Sequence, residues 1–68
     1  MPIIHVDMLE GRSIEQKRAY VKAMTDCTVE ILKCKPESVS IILSEIRNEN
    51  SAKAGKLNID TMQKENIT

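Results

Sequence analysis

Apolar and polar residues alternate from the start of the chain. Ile4, Val6 and Met8 fall on one side and Ile3, His5 and Asp7 on the other, which predicts a strand over residues 2–8. Leu9-Glu10-Gly11-Arg12 interrupts the alternation, with Gly11 supplying the conformational freedom of a turn. Ser13 then reads as a helix N-cap, and Gln16 three residues later completes a capping box. From about residue 14 to about residue 33 the period lengthens. Tyr20, Met24, Cys27 and Ile31 recur at i, i+4, i+7 and i+11, and Thr28 and Leu32 widen this stripe. Glu15, Arg18, Lys22, Asp26 and Glu30 lie off it and are read as solvated. Lys33 and Lys35 suit the negative end of the helix dipole, and Pro36 closes the segment. Alternation returns over residues 38–46, with Val39, Ile41 and Leu43 on one face and Ser40, Ile42, Ser44 and Ile46 on the other.

Strand, long helix and strand make a βαβ unit, so the fold class is α/β, with two parallel strands and a right-handed crossover. One face of the second strand can cover the helix. Ile42 and Ile46, on the other face, need cover from elsewhere. A two-stranded parallel sheet does not stand alone in water, so the sheet is expected to extend through another copy of the chain. Residues 47–56 are polar and rich in turn formers (Asn48, Asn50, Ser51, Gly55), consistent with a short C-terminal hairpin. Residues 57–68 read as a polar tail, either with a helical turn over residues 60–64 or without order. The chain is therefore expected to be a single domain over residues 1–68, its core at about residues 2–56 and its tail at 57–68.

Composition sharpens the expectation of self-association. Sixty-eight residues with one aromatic side chain, Tyr20, bury little surface, and chains this short commonly need disulfides, metal or oligomerisation. Cys27 and Cys34 are seven apart on the expected helix, which separates their Cα atoms by about 10 Å, too far to bridge. They are read as reduced thiols, in keeping with a cytoplasmic location. His5 is the only histidine and no metal-ligand spacing is present, so no metal site is expected. Ten basic residues balance ten acidic ones, which argues against nucleic acid or an anionic membrane as the principal partner. No apolar run has the length of a signal peptide or a membrane span.

The candidate chemistry lies at Pro2. Aminopeptidases remove an initiator methionine that precedes a small residue such as proline. The exposed proline nitrogen is then a secondary amine rather than an amide. Terminal amines titrate at about 7.7–8.0, and burial or a nearby cation pushes them lower. Such a group suits a general base or nucleophile. His5, alone on its strand, is read as a structural or surface residue.

Pro2 opening a strand, followed by Leu9-Glu10-Gly11-Arg12-Ser13-x-Glu15-Gln16-Lys17, a long helix and a second strand, resembles the 4-oxalocrotonate tautomerase family over about residues 2–56. The resemblance implies protomers that pair through their strands, most often as a homohexamer built as a trimer of dimers. It also implies a cofactor-independent isomerase that interconverts enol and keto forms of a small 2-hydroxydienoate or related carboxylate. On this resemblance Pro2 matches the catalytic base. Arg12 matches an arginine contributed across a subunit boundary, which holds a substrate carboxylate and draws electron density toward it. The backbone near Leu9 would help place the keto or enol oxygen.

Those roles make chemical sense. Proton transfer beside a conjugated carbonyl needs a base neutral near pH 7 and a cation for the developing dienolate. A guanidinium can hold a carboxylate in bidentate fashion. Two positions depart from the family pattern: Ser40 stands where a second arginine is known, and Ser51 where an aromatic residue walls the site. Arg47, Lys53 and Lys56 are the nearby candidates for replacing the lost charge. The expectation is a slower tautomerase, or one for a substrate with a single carboxylate. Two other readings stand beside it. One is a hydratase or dehalogenase on the same fold, with Glu49 activating water. The other is a catalytically silent oligomeric scaffold or binding protein, motivated by Ser40 and Ser51.

Overall fold

The sheet that organises the molecule has two strands, β1 (Ile3–Leu9) and β2 (Ser40–Ile46), joined through helix α1 (Ile14–Leu32) in the computed structural model, which describes residues 1–65. The strands are parallel and in register from Ile3 opposite Ser40 to Leu9 opposite Ile46. Each begins slightly later than its alternation suggested. On the second strand, a 3₁₀ turn at Pro36–Ser38 takes up the opening residue, since proline suits the first position of such a turn.

Helix α1 starts as its cap predicts. The Ser13 side chain accepts from the Gln16 N–H at 3.1 Å, and Gln16 Oε1 accepts from the Ser13 N–H at 2.9 Å. At the other end Lys33 takes a left-handed conformation (φ 58°, ψ 52°), and its N–H bonds the Val29 carbonyl. The helix faces the side of the sheet that carries Ile4, Val6, Met8, Ile41 and Leu43, all half-buried. A salt bridge from Lys17 Nζ to Glu45 Oε2 (2.8 Å) ties the two layers together.

The buried stripe of α1 differs from the expected one. Met24 and Thr28 are half-buried as the periodicity suggested, but their companions are Lys17, Val21, Thr25 and Val29. Cys27 is exposed, and Tyr20, Ile31 and Leu32 are 39%, 67% and 61% exposed. One residue is a rotation of about 100° on a helix, so the stripe has turned about a shared centre. The C-terminal half of α1 is apolar on both flanks, and periodicity alone does not say which flank meets the sheet.

Beyond β2, a 3₁₀ turn at Asn48–Asn50 leads into an antiparallel hairpin of β3 (Ala52–Lys53) and β4 (Lys56–Leu57). Its two turn residues, Ala54 and Gly55, both have positive φ (53° and 82°), the signature of a type I′ hairpin turn. The polar stretch that follows is helical: α2 spans Asn58–Glu65, longer than the single turn that was one expectation for this segment. The Asn58 side chain donates to Asn48 Oδ1 at 2.6 Å, and its N–H donates to the Ser51 carbonyl at 2.7 Å. These bonds fasten α2 to the loop after β2. The last part of the expected tail, residues 66–68, lies outside the described residues.

Among the described residues, no apolar side chain is fully buried. The chain exposes 5633 Å², where a compact monomer of its mass would expose about 4,300 Å². Its radius of gyration is 15.4 Å, against about 11 Å for a compact domain of this length. The uncovered apolar surface includes the second sheet face, where Ile3 is 69% and Ile42 49% exposed.

Candidate active site

The sheet sorts the five candidate residues to its two ends. Pro2 immediately precedes β1 and is half-buried, and its carbonyl accepts the Ser40 N–H at 3.0 Å. Pro2 and Ser40 therefore share the end where both strands begin. Leu9 closes β1 at the other end, paired with Ile46, and Arg12 follows three residues later. Ser51 lies beyond the same end of β2, half-buried at the foot of the hairpin. At about 3.3 Å per strand residue, Pro2 and Leu9 are some 20 Å apart along β1. One chain does not bring Pro2 and Arg12 together.

Glu10 and Gly11 set the course of the chain into Arg12. The Glu10 N–H extends the ladder to the Ile46 carbonyl (2.9 Å), and Glu10 Oε2 accepts from the Asn48 N–H (3.0 Å). Glu10 thus links the end of β1 to the loop after β2. Gly11 follows at φ 120°, a conformation open to glycine and costly for other residues. Arg12 emerges over an open cavity of ≈380 Å³ lined also by Met8, Gln16, Lys17 and Tyr20. The cavity lies between the end of β1 and the first turns of α1, beside the carboxyl ends of the strands, a usual place for ligands in open α/β sheets.

The charges in this cavity are unequal. Arg12 makes no salt bridge among the described residues, whereas Lys17 is neutralised by Glu45 at 2.8 Å. The cavity therefore offers one uncompensated cation, suited to a single carboxylate. Of the other basic candidates, Arg47 is engaged by Glu49 (3.4 Å). Lys53 and Lys56 line a second cavity of ≈390 Å³ with Ala54, Asn58 and Thr61, whose lining does not include Arg12. Glu49, the candidate water activator of the hydratase reading, is the partner of Arg47 in that pair.

His5 keeps unexpected company on the open sheet face. Its Nε2 lies 3.1 Å from Ser44 Oγ and 3.3 Å from Asp7 Oδ1. Both partners meet the same ring nitrogen, so the three do not form a nucleophile–base–orienter chain. Side-chain exposures of 55% for His5 and 68% for Asp7 fit a solvated cluster. No group of three or more metal-binding side chains occurs among the described residues. No described helix is long and apolar enough to cross a membrane. Sequence reasoning passed over Tyr20 and Gln16 as site residues because it assigned the first to the core stripe and the second to the cap. Their common proximity to Arg12 appears only once α1 is docked on β1.

Comparison with known proteins agrees with this architecture. Residues 2–61 match the family of tautomerase enzymes. A probable tautomerase of Halalkalibacterium halodurans is 45% identical over 56 residues, covering 82% of this chain and 92% of the relative. The 2-hydroxymuconate tautomerase of Bacillus subtilis is 39% identical over 56 residues, covering 82% and 90%. Among solved structures, a 4-oxalocrotonate tautomerase isozyme from Methylibium petroleiphilum superposes with a TM-score of 0.85 at 36% identity, covering 93% of this chain and 98% of that one. A heterohexameric 4-oxalocrotonate tautomerase from Chloroflexus aurantiacus superposes with a TM-score of 0.80 at 25% identity, covering 88% and 97%. With a βαβ unit led by Pro2, an Arg12 cavity at the strand ends and agreement over most of its length, this chain belongs to the tautomerase family and is an isomerase of the 4-oxalocrotonate tautomerase type.

Proposed function

We propose that the protein ketonises the enol of a small unsaturated 2-hydroxy carboxylate, with Pro2 as general base once Met1 is removed and Arg12 as the carboxylate anchor. The observation that carries this reading is the unpaired Arg12 over its cavity in a fold of the tautomerase family. The Pro2 nitrogen takes the proton of the 2-hydroxyl group as the C2–O bond becomes a carbonyl. The same proton then returns to C3 or C5 of the conjugated chain. One O–H bond is exchanged for one C–H bond, with no net oxidation. Arg12 holds the C1 carboxylate through two N–H donors and stabilises the negative charge that spreads over the dienolate. Leu9 contributes backbone beside the reacting oxygen, and Ser40 and Ser51 stand at substrate-facing positions without cation or aromatic ring.

This mechanism needs more than one chain, because Pro2 and Arg12 occupy opposite ends of β1. The excess exposed surface, with Ile3 and Ile42 uncovered on the open sheet face, supports assembly of identical protomers, with a hexamer as the form adopted. An Arg12 from one protomer would then serve the Pro2 of another.

The test is an ultraviolet assay of 2-hydroxymuconate and phenylenolpyruvate ketonisation, on wild type and Pro2→Ala, with intact mass verifying loss of Met1. Turnover that falls about a hundredfold or more in Pro2→Ala agrees with a general base. Processed protein that turns over neither enol would point to a different substrate or to a retired site.

A further inference from the structure

We propose that Tyr20 determines substrate choice: its ring forms the wall against which the planar, apolar body of an aryl or alkenyl monocarboxylate lies while Arg12 holds the carboxylate. The proposal rests on the reading of Arg12 as carboxylate anchor and extends it to the other end of the ligand.

The cavity's chemistry divides into two parts. Its polar part is one free cation, Arg12, because the Lys17 ammonium is held by Glu45 at 2.8 Å. A second carboxylate would find no unpaired charge there. Its apolar lining residues are Met8, on the strand, and Tyr20, on the helix. Tyr20 is 39% exposed, although it is the largest apolar side chain available, because it flanks the stripe that α1 turns toward the sheet. Its hydroxyl has no hydrogen-bond partner among the described residues. The chain has no phenylalanine or tryptophan, so Tyr20 is the one large aromatic face it can offer a ligand. Gln16 is held by the capping box through Oε1, which leaves its amide N–H groups as donors of fixed position. A volume of ≈380 Å³ is at the small end of ligand cavities and suits a single ring or short diene.

The experiment compares two unreactive monocarboxylates, cinnamate and crotonate, by calorimetry and by proton NMR on the full-length, Met1-processed protein. With one tyrosine and no other benzenoid side chain, the Tyr20 ring resonances are identified without ambiguity. Cinnamate is expected to shift them. Tyr20→Leu should weaken cinnamate about three- to tenfold, the range of an aromatic pair, and crotonate less than twofold. Tyr20→Phe should restore cinnamate affinity, and Arg12→Gln should weaken both acids. In turnover, Tyr20→Leu should raise KM for phenylenolpyruvate with little change in kcat. Tyr20 resonances unmoved at saturating cinnamate, or equal weakening of both acids by Tyr20→Leu, would overturn the assignment. The first of these criteria needs only wild-type protein, so it holds if Tyr20→Leu fails to fold. Turnover that survives Pro2→Ala would defeat the proline mechanism and leave Tyr20 in place. Normal proline-dependent turnover without any Tyr20 response would do the reverse.

Discussion

In the proposed mechanism Pro2 and Arg12 carry opposite chemical duties, and their substitution should separate those duties. A chain that retains Met1 presents Pro2 as an amide, without a basic lone pair, and should show no turnover when compared with the processed form by intact mass and ultraviolet assay. Arg12→Gln removes the bidentate cation that pairs with the carboxylate. Charged hydrogen bonds of this kind are worth about 1.5–3 kcal/mol, so kcat/KM should fall about 10- to 150-fold, while Pro2→Ala should leave carboxylate binding intact. Ala54 presents a different residue-scale problem. Its φ of 53° puts a Cβ where left-handed backbone is strained. Ala54→Asn, a residue that the type I′ turn prefers, should stabilise the hairpin by about 1 kcal/mol, measured as a higher midpoint in thermal unfolding. The roles proposed for Pro2 and Arg12 rest on motif and chemistry together. Tyr20 was hidden, because a tyrosine among apolar residues at helical spacing looks the same whether it packs or meets a ligand.

Helix α1 shows what local sequence can specify about an element. Its start is written in Ser13 and Gln16, which need only each other's backbone and side chain. Ser13→Ala should cost about 1 kcal/mol and should disturb Arg12, which immediately precedes the cap. Thermal unfolding reads the first effect and the KM for the carboxylate substrate the second. Rotation about the helix axis is another matter. Tyr20, Cys27 and Ile31 form as good an apolar row as Val21, Met24 and Thr28, and the choice between them is made by Ile4, Val6, Ile41 and Leu43 across the interface. The polar segment after the hairpin was equally ambiguous. Asn58–Glu65 has weak helical patterning, and its N-terminus is fastened by Asn48 and Ser51, both distant enough in sequence to be invisible to periodicity.

At the scale of the molecule, the dominant feature is surface left uncovered. An excess of about 1,300 Å² over a compact monomer is comparable to what one partner gives up in a standard interface or more. Ile42, 49% exposed in the centre of the open sheet face, is the place to test assembly. Ile42→Asp should reduce the mass seen by sedimentation or light scattering and lower activity with it, since Pro2 and Arg12 meet only between chains in the proposed mechanism. Glu30→Gln, on the solvated side of α1, should change neither. The sequence by itself determined the order of elements, the parallel pairing and the capping box, because alternation and turn chemistry are local properties. Only tertiary structure decided the rotation of α1, the order of residues 58–65, the pairing of Lys17 with Glu45 and of Arg47 with Glu49, and the cavity that unites Arg12 with Tyr20. These depend on which surfaces approach one another across many residues of chain, where packing energy outweighs the small local preferences that a sequence pattern records.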